Sequence, residues 1–232
     1  MDQQIKGKKI LLIGCTGVLG SNFTEYLYQN YGNLILADLK TKRFDQFRKK
    51  YPKAFFIDCD ITKEKNLIDL HKKIKKKFKY LDAIIFNVGL TSKTSQEKKM
   101  SFSSFENYSL KSWNNSINTN LTGAFLAAKN TISFMKKRGG SLIFISSIYG
   151  IIGPDSRIYS SQKFRTLSGY SASKAGLIGL SKWLATNSFS NFFFYNLIFI
   201  ISVRTQNNKI FTFDIFFIIF NRIFSKNKKV IN

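Results

Sequence analysis

At 232 residues, with 44% apolar and 22% charged side chains, the chain is long enough for one sizeable core, and its composition is not that of a disordered or fibrous protein. The formal charge of +24 invites a nucleic-acid or membrane reading. Cys15 and Cys59 have neither disulfide-framework nor zinc spacing, so no metal is expected; the single histidine, His71, lies among lysines and is expected on a solvated helix face.

Residues 1–7 carry no signal-peptide pattern, which makes a cytoplasmic protein the expectation. The apolar run Lys9–Ile13 reads as a buried first strand and feeds into Gly14-Cys15-Thr16-Gly17-Val18-Leu19-Gly20. Phe23, Tyr26, Leu27 and Tyr31 then recur at helical spacing until Gly32. Glycines between strand and helix permit a tight turn and let backbone N–H groups approach a pyrophosphate at the positive end of the helix. The next apolar run, residues 34–37, ends in Asp38, where a dinucleotide fold keeps the acid that accepts bonds from the adenosine ribose hydroxyls. A carboxylate there repels a 2′-phosphate and favours NAD; Lys40, Lys42 and Arg43 weaken that preference and leave NADP as the alternative.

Leu67, Leu70 and Ile74 predict the buried stripe of a third helix, so the dense lysine run of residues 72–79 reads as its solvated face rather than as a nucleic-acid site. The excess of lysine, asparagine, isoleucine and phenylalanine also fits an AT-rich genome, and no specific nucleic-acid partner is expected. Tyr170 and Lys174, four residues apart, predict a phenol and an ammonium one turn apart on a helix face. An ammonium near a phenol favours the phenolate, so the pair reads either as a proton-transfer device or as two residues of an ordinary solvated helix.

From about residue 6 to about residue 186 these segments resemble the short-chain dehydrogenase/reductase family, in the variant that has Gly14, Gly17 and Gly20 in its glycine loop. The resemblance implies an α/β fold, a Rossmann-type doubly wound parallel sheet that is expected to be incomplete at its C-terminal end, and NAD(P)-dependent hydride transfer on a small-molecule carbonyl or alcohol. The third strand ends at Asp60 and Ile61, which match the residues that flank the adenine, and Asn87 and Gly89 match part of the motif after the fourth strand. Asn120 matches the helix asparagine that holds a proton-relay water. Ser147 matches the catalytic serine at the end of the fifth strand, with Ser146 as the fallback. Tyr170 is then the acid/base, and Lys174 lowers its pKa and holds the nicotinamide ribose. The stretch from Ser147 to Tyr170 is longer than usual, with an insertion around residues 154–168 beside the substrate pocket. That feature resembles bacterial members linked to surface-glycan and flagellin-sugar modification. A homo-oligomer is usual in the family.

Beyond Thr186 the resemblance stops, which divides the chain into a dinucleotide-binding part, 1–186, and an anomalous part, 187–232. The latter has no glycine, alanine or proline, yet holds eleven of the 24 phenylalanines. Residues lost are those with GC-rich codons, and the preferred explanation is a reading-frame shift near Asn187. A divergent genuine tail, in which residues 192–201 form the sixth strand, and membrane attachment are the alternatives; each apolar run is too short to span a bilayer. The chain is accordingly either a working oxidoreductase or a catalytically silent dinucleotide-binding remnant.

Overall fold

The computed structural model describes residues 7–31, 33–91, 105–155, 167–187 and 193–200. Most of the insertion (156–166) and residues 201–232 lie outside the described residues. Six strands form one parallel sheet: β1 Lys9–Ile13, β2 Asn33–Asp38, β3 Phe55–Asp58, β4 Ala83–Phe86, β5 Gly140–Ser147 and β6 Phe193–Ile200. Their order is β3-β2-β1-β4-β5-β6, so the order reverses between β1 and β4. Helices α1 Val18–Tyr31, α2 Lys42–Lys50, α3 Glu64–Lys77, α4 Leu110–Ile117, α5 Gly123–Thr131 and α6 Ser168–Asn187 connect them.

The two-residue period of a strand accounts for the layering. In β1, Ile10 and Leu12 face one cluster with Phe23, Leu27 and Phe44 of α1 and α2; Leu11 and Ile13 face the other, with Leu67, Leu70 and Ile74 of α3 and Leu177 of α6. The same alternation repeats in β4, where Ile85 and Phe86 fall into opposite clusters. Both faces are covered, which is why the strands read as continuous apolar runs rather than alternating ones. The doubly wound fold expected of the sequence is therefore the fold observed.

The α3 stripe is buried as its spacing predicts, and Lys75, Lys76 and Lys77 end the helix, where its dipole favours cations. His71 departs from expectation. It is half-buried rather than solvated, with Nδ1 2.7 Å from the Asn130 carbonyl oxygen and its ring 4.8 Å from that of Phe134. Helical spacing alone places His71 beside the lysines; only the packing of α3 on α5 encloses it. The phenylalanine-rich run beyond residue 187 supplies β6, which pairs with β5 from Gly140–Phe193 to Ser147–Ile200. Its β-branched and aromatic composition suits that slot.

Candidate active site

The carboxyl ends of the strands converge at the β1/β4 reversal, the place where open α/β sheets hold ligands. Here the chain leaves β1 through Gly14, whose φ of +86° is left-handed and whose added Cβ would stand 3.0 Å from Asn87 and Val88. Its N–H donates to the Ala37 carbonyl at 2.8 Å, and Asn87 Nδ2 donates to its carbonyl at 3.0 Å. Asn87 thus ties the exit of β4 to the glycine loop. A Cβ on Gly20 would fall 2.0 Å from the Gly14 carbonyl oxygen, so the loop folds back onto the first turn of α1 only with glycine there. Gly17 is different: a Cβ would meet no protein atom nearer than 3.9 Å, which leaves open space over the N-terminus of α1, beside the exposed Val18.

Asp38, at the end of β2, accepts from Thr16 N and Thr16 Oγ1, each at 2.7 Å on Oδ2, and from Leu39 N at 2.8 Å on Oδ1. A carboxylate has about four lone-pair sites, so three donors leave one for a hydroxyl. Open space at Gly17, the helix N-terminus and this partly used acid together fit a dinucleotide. The thiol of Cys15, inside the loop, is pushed far above its ordinary pKa by burial and by the Asp38 charge.

Asp60 and Ile61 stand at the turn between β3 and α3. Asp60 Oδ1 accepts from Thr62 N and Oγ1, and Oδ2 pairs with Lys63 at 3.2 Å. Burial opposes its charge, but those donors outweigh it and hold the carboxyl below the usual range. Ile61 is buried beneath Gly123, where a Cβ would lie 2.1 Å from Ile61 Cδ1. Both side chains shape the turn into α3 and its packing on α5, and the three donors on Asp60, like those on Asp38, leave one lone-pair site.

On the other side of the reversal, Lys174 is only 3% exposed. Its Nζ donates to the Ile145 carbonyl at 2.8 Å and stands 5.6 Å from the centre of the Tyr170 ring. Burial lowers its pKa from 10.5 to about 8, which still leaves mostly ammonium at neutral pH. Gly89 adjoins it; a Cβ there would be 3.5 Å from Nζ. Asn120 is fully buried in a short π-helical segment, Asn118–Thr122, between α4 and α5. Its Oδ1 accepts from Leu90 N at 2.6 Å, while Nδ2 donates to the Leu90 carbonyl at 3.2 Å and to Ser173 Oγ at 3.0 Å.

The two serines at the end of β5 part company. Ser146 Oγ donates to the Lys174 carbonyl at 2.9 Å, so its proton is spent on holding α6 against the sheet. Ser147 Oγ accepts from Tyr149 N at 3.3 Å, which uses a lone pair and not the hydroxyl proton. Gly150 follows closely because a Cβ there would come 2.8 Å from the backbone of Lys174. Ser173 is the residue that spacing alone overlooked. Fully buried, it donates to the Tyr170 carbonyl at 2.7 Å and accepts from Asn120. A serine three residues after Tyr170, on the buried side of its helix, was the available signal.

The fold and this cleft define a doubly wound dinucleotide-binding protein of the oxidoreductase class. The chain belongs to the short chain dehydrogenase family, whose model matches residues 8–192. It is 31% identical over 187 residues to the 3-oxoacyl-[acyl-carrier-protein] reductase FabG of Buchnera aphidicola subsp. Schizaphis graminum, covering 78% of this chain and 68% of that one. It is 26% identical over 192 residues to trans-4-hydroxycyclohexanecarboxylate dehydrogenase of Sinomonas cyclohexanicum (78% and 67% covered). It is 27% identical over 195 residues to post-translational flagellin modification protein A of Campylobacter coli (80% and 73%). The fold matches that of a short chain dehydrogenase from Mycobacterium smegmatis with a TM-score of 0.70 at 19% identity, over 85% of this chain and 78% of that one. Membership makes it an NAD(P)-dependent dehydrogenase or reductase by class. Among the described residues no helix is long and apolar enough to cross a membrane.

Proposed function

We propose that the chain catalyses reversible hydride transfer between a nicotinamide and a carbonyl or secondary alcohol carbon, with Tyr170 as the acid/base. The observation that carries this reading is the buried Lys174 ammonium one helical turn from Tyr170, beneath the strand end that bears Ser147. A bound dinucleotide would supply the redox step. The protein's own residues do the rest. Gly14 to Gly20, Asn87 and Gly89 would bind and orient the dinucleotide, with the backbone near Asp60 and Ile61 at its adenine end. Asp38 would accept a ribose hydroxyl, which favours NAD over NADP. Tyr170 would exchange a proton with the substrate oxygen, Ser147 would donate its unused hydroxyl proton to that oxygen as charge develops, and Lys174 would favour the phenolate by its charge. Asn120, held by Leu90 and Ser173, would place the relay between Lys174 and solvent.

A sugar or sugar derivative is the substrate class this reading favours, supported by the similarity to the flagellin modification protein. The setting it implies is a cytoplasmic homo-oligomer. In the Tyr170→Phe variant the ring stays and only the proton donor goes, so NADH binding followed by fluorescence should persist while turnover with keto-sugars disappears. Comparable turnover in variant and parent would remove Tyr170 from the mechanism.

The composition break at residue 187 favours a second reading, a dinucleotide-binding remnant without turnover. Sequencing the coding DNA around the Asn187 codon separates the two. A single-base change that restores glycine, alanine and proline downstream would support the remnant.

A further inference from the structure

The edge of the sheet opposite the cofactor cleft gathers basic segments that are far apart in the sequence. In a parallel sheet all strands start at one edge, and the connecting helices end there. The segments leading into four of the strands carry basic residues: Lys8 before β1, Lys53 before β3, Lys79 before β4, and Lys137 and Arg138 before β5. The helices that end at this edge finish on Lys49 and Lys50 in α2 and on Lys75 to Lys77 in α3.

Helix dipoles account for lysines in a last turn but make no demand on the loops beyond it. Yet Lys53, Lys79 and Lys137 are exposed and lie in those loops. Tyr80 organises the middle of the edge: Lys9 Nζ is 3.6 Å from the centre of its ring and Arg138 Cζ 4.0 Å, so one aromatic ring holds cations from two strand starts. The carboxylates paired here, Asp82 with Lys8 and Glu25 with Lys50, offset a minority of this charge.

We infer that this edge is a sequence-independent docking surface for the phosphodiester backbone of a nucleic acid, separate from the dinucleotide cleft. From β3 to β5 the strand starts span roughly 20 Å at about 4.8 Å per strand, enough for about three to four phosphates of a single strand. Among the described residues, the loops leading into β1, β3, β4 and β5 contribute no large exposed apolar side chain, and Trp183 lies towards the end of α6. Stable membrane anchoring needs an apolar face or a lipid in addition to a basic patch, and protein interfaces are depleted of lysine, so a polyphosphate strand is the partner that fits.

The test is fluorescence anisotropy of the full chain with labelled RNA and DNA single strands of about 20 nucleotides, across a salt series. Neutralising about three to four phosphates of a single strand gives a plot of log K against log salt with a slope near −2 to −3. Lys79→Glu with Lys137→Glu should weaken binding roughly tenfold or more and flatten the slope by about 1.4. Lys65→Glu with Lys111→Glu makes the same change in net charge on exposed positions at the cofactor end, and should leave affinity within about twofold. The RNA and DNA arms tell which strand is preferred. Equal losses in both variants, displacement of the strand by excess NADH, or binding to anionic lipid vesicles without binding to either strand would each overturn the inference.

Discussion

Replacing Lys174 by methionine keeps an apolar stem of similar length and deletes a buried charge. In the folded chain the ammonium gives up its proton near pH 8, against 10.5 for the solvated group. Below pH 8 both folded and unfolded chains hold that proton, and the folded state bears the full cost of burying it. Between 8 and 10.5 the unfolded chain holds a proton that the folded one has released, so stability rises with pH through that window. The gap between the two values, at about 1.4 kcal/mol per unit, amounts to about 3 kcal/mol. The bond from Nζ to the Ile145 carbonyl works in the other direction, contributing about 1.5–3 kcal/mol while the amine is charged. The Lys174→Met variant should therefore be about as stable as the parent at pH 7 and fall progressively behind as pH rises from 8 to 10.5. Urea unfolding of both proteins at half-unit pH intervals reads the difference directly, because every other titrating group is common to the two. Parallel stability curves across that window would refute the account of Lys174 as a charge held against its own desolvation.

Asp38→Ala removes the acceptor for Thr16 and Leu39 and the negative charge at the ribose, so the preference should move from NAD toward NADP by roughly tenfold or more, as Lys40, Lys42 and Arg43 meet a 2′-phosphate; an unchanged ratio of the two dissociation constants counts against the ribose role. Ser146→Ala and Ser173→Ala each delete a buried hydroxyl bond to the same turn of α6 and should each lower unfolding stability by about 1–3 kcal/mol. Only Ser173→Ala also frees the Asn120 amide, so only that variant should move the pH profile of turnover, and identical profiles would reduce Ser173 to a packing role. Cys59 has its thiol pushed up to about 12, chiefly by burial, and Cys15 higher still; both should resist a thiol reagent in the native protein at pH 8 and react on unfolding. Rapid native labelling of either would contradict the burial.

Local patterns made much of the fold and of the candidate site legible. Apolar runs bounded by glycine or by a terminal acid located β1, β2 and β5, because strands buried on both faces admit no polar interruption. Gly14 and Gly20 were readable as a loop because their backbone positions exclude a side chain. Tyr170 and Lys174 were readable because a helical turn is a fixed spacing. What spacing could not reveal was how neighbouring polar groups divide their bonds. Ser146 and Ser147 are equivalent in the chain, yet the pleat of β5 turns one hydroxyl onto α6 and leaves the other with its proton unused. His71 resembled a surface residue until α5 covered it.

The sequence by itself determined the alternation of strand and helix, the glycine loop, Asp38 and the Tyr170–Lys174 pair, since each depends on periodicity or on backbone sterics within a few residues. Tertiary structure decided the rest: which serine keeps its proton, how Ser173 joins Asn120 to the Tyr170 turn, and that basic stretches from four loops share one edge. These depend on the parallel sheet bringing every strand start to one side and every strand end to the other, a proximity that no local pattern encodes.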